Sequence, residues 1–431
     1  MNEIILKGLK KLAVAGSPVF HSKSPELFNY FSGYKNKNII YSRICTNSAQ
    51  DLFSIIKSLD FLGLNITSPL KTSIIPFLDE ISDDAKKINS VNTIIKEDNK
   101  YIGHNTDHIG VVKSFELSGI NVKGKKCLVL GTGGAGRAAV YGLLNAGANI
   151  TICNRTLEKA KKASTHFKCS YMPIDEINYR IKEFNIIIST IPNNSETISN
   201  LTMNKNQILL TADYKNELEL NNGIEKPRII NGLLWLIFQG AASFKLFTDS
   251  EAEKIDLKKL QILLRRKHKK SKTSFIGFSG SGKTTIVKEL NKASSIDIDE
   301  EIENKTKISI SEIFKQKGEQ FFRNIERPLL RKFILDSKTK LISCGGGILL
   351  NKKNSELLTK QTNIFWLWSP LDIIKTRIID QSRPLLETSE DLESLFIERE
   401  ETYLKAADMI IPNTGNKDEI SNIIDILKKE I

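Results

Sequence analysis

Neither a C-x-x-C pair nor a zinc-ligand spacing occurs among the five cysteines, Cys45, Cys127, Cys153, Cys169 and Cys344. That leaves no thioredoxin-type redox pair, no sequence-readable zinc site and no disulfide framework. Three of the five lie in or beside apolar strand-like runs, where cysteine acts as a small hydrophobe, and a cytoplasmic location is expected. The segment MNEIILKGLKK carries an acid early and too short an apolar core for a secretory leader. The most apolar stretch, Leu233 to Phe247, is broken by Gln239 and Lys245, so no segment reads as a membrane span and no membrane partner is expected. An aromatic-rich nucleic-acid motif is also missing. The formal charge of +13 is therefore assigned to small anionic substrates, nucleotides and one basic run, with no nucleic-acid partner. With 431 residues, 40% hydrophobic and 26% charged, the chain has room for two or three ordinary globular domains.

The sharpest positive signal is GFSGSGKT, Gly277 to Thr284, which fits G-x-x-x-x-G-K-[ST] between an apolar strand-like run and a helix-like run. Backbone N–H groups through Gly280, Ser281 and Gly282, continuing into Thr285, can cradle phosphates at a helix N-terminus. Lys283 would reach the terminal phosphates and Thr284 would ligand Mg2+, so the loop predicts ATP with magnesium. A second glycine loop, GTGGAGRAA, follows the apolar run Lys125 to Leu130 and places Gly131, Gly133, Gly134 and Gly136 before a helix. Strand, loop, helix and a second strand at Asn149 to Cys153 predict a dinucleotide site. That second strand ends in Asn154-Arg155-Thr156, with a cation and no acid, which fits the 2′-phosphate of NADPH.

Elsewhere the chain offers polar residues at strand ends. Ser22 and Ser24 lie two apart in the Pro-bounded loop GSPVFHSKSP. Lys71 follows the strand-like Leu62 to Thr67, with a helix expected from Thr72, and Asn92, Asn105 and Asp107 fall on loops. Asn231 to Phe247 reads as a helix apolar on nearly all faces, within which Gln239 needs a buried partner or a ligand. Glu251 to Lys272, half amphipathic and half basic, reads as a solvated linker. Beyond the phosphate loop, Asp297 and Asp299 stand at a strand end and suit a metal and a substrate hydroxyl. Arg323 lies in a helix-like run, Gly345, Gly346 and Gly347 allow close backbone approach to a ligand, and Arg383 and Arg399 follow in SRPLL and EREETY.

HSKSP, NITSPLK, VNT, NTD, GTGGAGR, NRT and the late glutamine occur in the order found in shikimate dehydrogenases, and the chain resembles that family over roughly residues 8–250. The resemblance implies a substrate domain at 1–108, completed by 231–250, and a Rossmann NADP domain at 109–230. It implies that Ser22, Ser24, Thr67, Asn92 and Gln239 hold substrate, with Lys71 and Asp107 as the catalytic pair. His108 stands where the family usually has glycine, and Asn231 replaces a usual aspartate.

The P-loop, D-x-D, F-R, GGG, R-P-L-L and E-R-x-x-x-Y series resembles shikimate kinase across 273–431, after a basic linker at 251–272. This implies a P-loop domain with a parallel sheet, Asp299 and Lys283 as catalytic groups, and Mg2+ held by Thr284 and Asp297. Arg323, Gly346, Gly347 and Arg399 would bind substrate, and Arg383 the nucleotide. The two resemblances fit together, since the product of the first reaction accepts phosphate in the second. The expected function is NADPH-dependent reduction of 3-dehydroshikimate followed by ATP-dependent phosphorylation of shikimate. The alternatives are an inactive sensor of the same metabolites, or a quinate-type dehydrogenase fused to another small-molecule kinase.

Overall fold

The computed structural model describes residues 9–33, 38–216, 218, 220, 226–250, 252, 255–265, 270–379, 389–415 and 417–431. In chain order the strands begin with β1 (Lys10–Gly16), β2 (Ile39–Cys45), β3 (Gly63–Ile66), β4 (Glu80–Ile81), β5 (Thr93–Glu97) and β6 (Lys100–His104). The middle of the chain carries β7 (Lys126–Leu130), β8 (Asn149–Cys153), β9 (Ser170–Met172), β10 (Ile186–Ser189), β11 (Ile208–Thr211) and β12 (Arg228–Ile230). The last five are β13 (Thr273–Ile276), β14 (Ser295–Asp297), β15 (Leu341–Ser343), β16 (Asn363–Trp368) and β17 (Met409–Pro412). Near-continuous apolar runs such as IIIS in β10 and NIFWLW in β16 are buried along their whole length, as strands of parallel sheets covered on both faces must be.

Contacts group the chain into two compact units. One holds residues 1–25, 38–61 and 266–431; the other holds 26–37 and 62–265. This division cuts across the expected 1–108 segment, because β2 lies beside β17 in the first unit. Its strands run β14-β15-β13-β16-β17-β2-β1, every neighbouring pair parallel. The P-loop joins β13, inside that sheet, to the helix Lys283–Asn291. Helix starts are set by local caps: Asp297 accepts from the N–H groups of Asp299 and Glu300, and Ser309 with Glu312 forms a reciprocal capping box.

The second unit contains two sheets. In one, β3, β5 and β6 are antiparallel neighbours and β4 pairs parallel with β6. The other has six parallel strands in the order β12-β11-β10-β7-β8-β9, the doubly wound pattern expected of a dinucleotide domain. The apolar helix Gly232–Thr248 packs against Asp107–Leu117. Asn231 caps it, accepting from Leu233 N–H at 2.9 Å, so asparagine serves there as well as aspartate would.

The amphipathic half of the expected linker is a helix, Leu257–Arg265, with Leu260 and Leu264 buried. Residues 266–269, most of the basic run, lie outside the described residues. The far end of the segment is docked: Lys270 Nζ donates to the Thr359 and Thr362 carbonyls, and Lys272 Nζ to those of Asp336 and Thr339. These carbonyls lie at and beyond helix C-termini, where a cation is favoured. No helix among the described residues is long and apolar enough to cross a membrane.

Candidate functional site

In the second unit, Lys71 sits in a short helix, Leu70–Ser73, that starts two residues before the expected Thr72. Its ammonium forms an ion pair with Asp107, which opens the helix Asp107–Leu117 instead of lying on a loop. Asn105 accepts from Asp107 N–H at 3.1 Å and donates to the Ser90 carbonyl at 2.8 Å. Around them lies a buried polar network. Asn92 Nδ2 donates to Gln239 Oε1 at 3.1 Å and to Thr106 Oγ1 at 3.0 Å. Ser243 Oγ bonds Thr93 at 2.8 Å, Thr106 at 3.0 Å and Asn65 at 2.9 Å. Gln239 thus finds the buried partner its place in an apolar helix demands. Thr67 follows the end of β3, half-buried.

The glycine loop reaches the same neighbourhood. A Cβ on Gly134 would lie 2.6 Å from Ser90 Oγ and 2.8 Å from Lys71 Cδ, so only glycine lets this helix start beside Lys71. A Cβ on Gly136 would lie 2.1 Å from the Gly131 carbonyl, which fixes the tight strand-to-helix turn. Next to the loop is a cavity of about 730 Å3, lined by Gly131, Gly133, Asn154, Arg155, Thr156 and Lys159 among others. Lys162, Arg137 and His166 add to its basic wall. Glycine N–H groups at a helix start and this cationic rim fit a phosphorylated dinucleotide.

In the first unit, Ser22 lies in the loop after β1, while Ser24 is the first residue of the helix Ser24–Ser32 and not a loop residue; both are buried, with Oγ atoms 3.2 Å apart. The Ser22 carbonyl accepts from Arg43 Nη2 at 2.8 Å and Nε at 3.2 Å.

The same unit carries a cavity of about 610 Å3 beside the P-loop, lined by Thr284, Asp297, Asp299, Arg323, Arg399 and the three consecutive glycines. Lys283 Nζ donates to the Gly277 and Phe278 carbonyls at 2.9 and 2.8 Å, curled over its own loop. Thr284 Oγ1 donates to Asp297 Oδ2 at 2.5 Å. No cluster of three metal-ligating side chains occurs among the described residues. A magnesium ion here would rest on Thr284, Asp297, water and substrate phosphates, the sparse protein set that Mg2+ usually takes.

The glycines make the site's walls possible. A Cβ on Gly345 would lie 2.6 Å from Asp299 Oδ1, one on Gly346 3.1 Å from Arg399 Nη1, and one on Gly347 2.1 Å from Arg323 Nη2. Three consecutive glycines therefore bring one acid and two arginines around a single stretch of backbone. Arg399 is 7% exposed, lies over the Phe278 ring, and its Nε has no hydrogen-bond partner among the described residues.

Comparison with known proteins gives these two geometries a family. Residues 14–94 match the shikimate dehydrogenase substrate binding domain, and 113–215 match shikimate / quinate 5-dehydrogenase. A shikimate dehydrogenase (NADP(+)) of Carboxydothermus hydrogenoformans is 31% identical over 256 residues, 56% of this chain and 91% of that protein. The chain belongs to the shikimate dehydrogenase family. A relative from Methanococcus aeolicus with the same description is 38% identical over 256 residues, covering 56% of this chain and 92% of its own. The solved shikimate dehydrogenase of Aquifex aeolicus superposes with a TM-score of 0.54 at 31% identity, over 60% of this chain and 98% of that one. That of Thermus thermophilus, solved with NADP(H) and shikimate, gives 0.53 at 26%, over 60% and 99%. Residues 279–428 match shikimate kinase, so a kinase part follows the dehydrogenase part and the chain is a fusion.

Arg383 lies outside the described residues. In the dehydrogenase part, Thr106, Ser243 and Lys159 were not singled out from sequence. Ser243 follows Gln239 by four residues on one helix face, and Lys159 lies in the first turn of the helix after Asn154-Arg155-Thr156, so spacing held both signals. His108, the departure from the family's glycine, meets the Tyr141 ring edge-on and lies 3.8 Å from Asp84; burial lowers its pKa.

In the kinase part the missed residue is Glu326, three places after Arg323 and fully buried. Both its oxygens accept from Arg323 Nη1 at 2.8 Å, while Glu319 takes Nη2 at 3.0 Å, so two carboxylates aim the guanidinium. Burial pushes the Glu326 carboxyl up to about 7, with Arg323 pulling the other way. A carboxyl raised in the folded state binds its proton more tightly than in the unfolded chain. Its stabilising contribution is therefore present at low pH and is lost as pH rises from about 4.5 through 7. The denaturant midpoint of the wild type, measured against Glu326→Gln, should fall over about pH 5 to 7.5. Parallel curves for the two proteins would show the carboxyl titrates normally.

Proposed function

We propose that this bifunctional shikimate-pathway enzyme reduces 3-dehydroshikimate at Lys71 and Asp107 and phosphorylates shikimate at Asp299 and Lys283. The reading is carried by the Lys71–Asp107 ion pair set against Gly134 at the start of the glycine-loop helix. NADPH, when bound, supplies the hydride to the carbonyl carbon. The Lys71 ammonium, oriented by Asp107, polarises the carbonyl oxygen and gives the developing alkoxide its proton. Ser22 and Ser24 take the substrate carboxylate, and Thr67, Asn92 and Gln239 help to hold the substrate.

In the kinase part, Mg-ATP supplies the phosphoryl group. Lys283 bears on the phosphates, with Thr284 and Asp297 holding the metal. Asp299 accepts the proton of the attacking hydroxyl. Arg323 and Arg399 grip the carboxylate of shikimate against Gly346 and Gly347, a planar bidentate task that suits arginine better than lysine. Tyr403 supports this wall: its hydroxyl donates to the Gly346 carbonyl at 2.5 Å.

The deciding assay combines 3-dehydroshikimate, NADPH and Mg-ATP with the purified protein and follows shikimate 3-phosphate by mass. Failure to form shikimate in the first step, or its phosphate in the second, assigns the failure to one part. Arg155 on the rim of the dinucleotide cavity should set the cofactor preference. Loss of a charge-assisted contact costs about 1.5–3 kcal/mol, so Arg155→Ala should raise KM for NADPH by about 10- to 150-fold and leave KM for NADH nearly unchanged. Equal use of both cofactors by the wild type would contradict this role.

A further inference from the structure

We propose that the helix Lys417–Glu430 of the kinase part positions the substrate loop of the dehydrogenase part, with the Glu430 carboxylate as the residue that holds it. All the groups concerned belong to one compact unit. Glu430 is 5% exposed. Its Oε1 accepts from Val19 N–H at 2.5 Å and its Oε2 from Phe20 N–H at 3.0 Å. Cys45, in β2, donates its thiol to Oε1 at 3.0 Å. Burial, followed by the neighbouring carboxylate, pushes that thiol well above its usual range and keeps it a donor.

A carboxylate at this point is unfavourable on its own terms. It sits at the negative end of a helix, and it has given up nearly all its water. Two backbone N–H groups and a thiol, all from the dehydrogenase part, replace that solvation. Val19 and Phe20 are consecutive, and each N–H meets a different carboxylate oxygen, so the contact fixes the orientation of a peptide and not merely its distance. From there the geometry passes directly to the serines. Ser22 N–H bonds the Val19 carbonyl at 2.9 Å, and Ser22 Oγ meets Ser24 Oγ at 3.2 Å.

The helix is held in place for this task by contacts of its own. Asn422 and Asn47 exchange amide hydrogen bonds at 3.0 and 3.1 Å, and Thr414, just before the helix, donates to Asp51 at 3.3 Å. The Phe20 ring meets Phe365 of β16 edge-on at 5.1 Å between centroids. The helix also packs against the P-loop helix Lys283–Asn291, so one element touches both the phosphate loop's helix and the dehydrogenase's serine loop. The fusion thus gives the dehydrogenase a brace for its substrate loop.

This inference rests on the reading that Ser22 and Ser24 bind substrate, and the test separates the two. Full-length Glu430→Ala and Glu430→Gln are assayed for reduction of 3-dehydroshikimate and, in the same preparations, for phosphorylation of supplied shikimate. Glu430→Ala orphans two buried N–H groups, so KM for 3-dehydroshikimate should rise about tenfold or more. Glu430→Gln, which keeps one acceptor oxygen, should fall between it and the wild type. The maximal reduction rate, KM for NADPH and the kinase constants should stay within about twofold of wild type, a split that mere destabilisation does not produce. Wild-type KM for 3-dehydroshikimate in both variants would overturn the inference. So would a parallel loss of both activities in both variants, which would make Glu430 only a fold-holding residue. Should the alanine variant not fold, the glutamine variant alone decides. Ser22→Ala, run alongside, tests the site reading: an unchanged KM there removes the substrate role of the loop, whatever Glu430 does.

Discussion

Lys71→Ala should lower reduction of 3-dehydroshikimate at least about 100-fold while phosphorylation of supplied shikimate proceeds at the wild-type rate. In the proposed mechanism, Lys71 is the group that bears on the carbonyl oxygen. Its removal takes away the proton donor and also the charge that stabilises the alkoxide as it forms, and each of these effects alone is worth about 100-fold or more. The substitution also leaves Asp107, 6% exposed, without its ammonium partner. Some loss of stability is therefore expected, and kinase activity in the same sample reports how much folded protein remains. The loss should fall on kcat and kcat/KM together, because the interaction is made in the transition state. Asp107→Asn should follow the same direction. Reduction at the wild-type rate in Lys71→Ala would remove the pair from the chemistry.

Lys283→Ala gives the converse result. Phosphorylation of shikimate should fall by about 100- to 1,000-fold, with reduction of 3-dehydroshikimate unaffected. The ammonium lies curled on the carbonyls of Gly277 and Phe278, within its own loop, and is 8% exposed. The proposed role has this side chain turn onto terminal phosphate oxygens when nucleotide binds, where a buried cation would act at low effective dielectric. Asp299→Asn separates the roles in this site. It should lower kcat while leaving KM for ATP close to wild type, because the role proposed for the carboxylate concerns the hydroxyl proton and not the nucleotide. A Lys283→Ala enzyme that still phosphorylates shikimate at the normal rate would sink the assignment.

Much of this site was legible in the sequence because its signals are local. GFSGSGKT and GTGGAGRAA are short motifs whose chemistry lies in consecutive backbone N–H groups, and a strand before and a helix after suffice to place them. The strand Asn149–Cys153 has the bounds that its apolar run gave. Arg155, just past its end, is likewise a matter of position along the chain. Boundaries slipped where side chains compete for the backbone. Asp107 belongs to a helix and not a loop, since an acid in a helix's first turn is favoured by the dipole.

What the sequence could not supply were the pairings between distant residues. Glu326 gives no sign in the sequence of being fully buried, and only the packed helix makes it the partner that aims Arg323 and raises its own pKa. Three glycines announce close approach; that they admit Asp299, Arg399 and Arg323 in turn is a property of the folded site. The segment 251–272 reads as a solvated tether from its charges, yet Lys270 and Lys272 donate to carbonyls at and beyond helix ends that lie 64 to 92 residues away along the chain. The domain arrangement makes the same point on a larger scale. Two enzymes in series predict two separate folds, whereas β17 pairs with β2 and Glu430 reaches Val19, 411 residues away. Local patterns determine loops and elements because their hydrogen bonds close within a few residues. Partners far apart in sequence depend on which buried polar groups remain to be satisfied once the elements pack, and only the tertiary structure decides that.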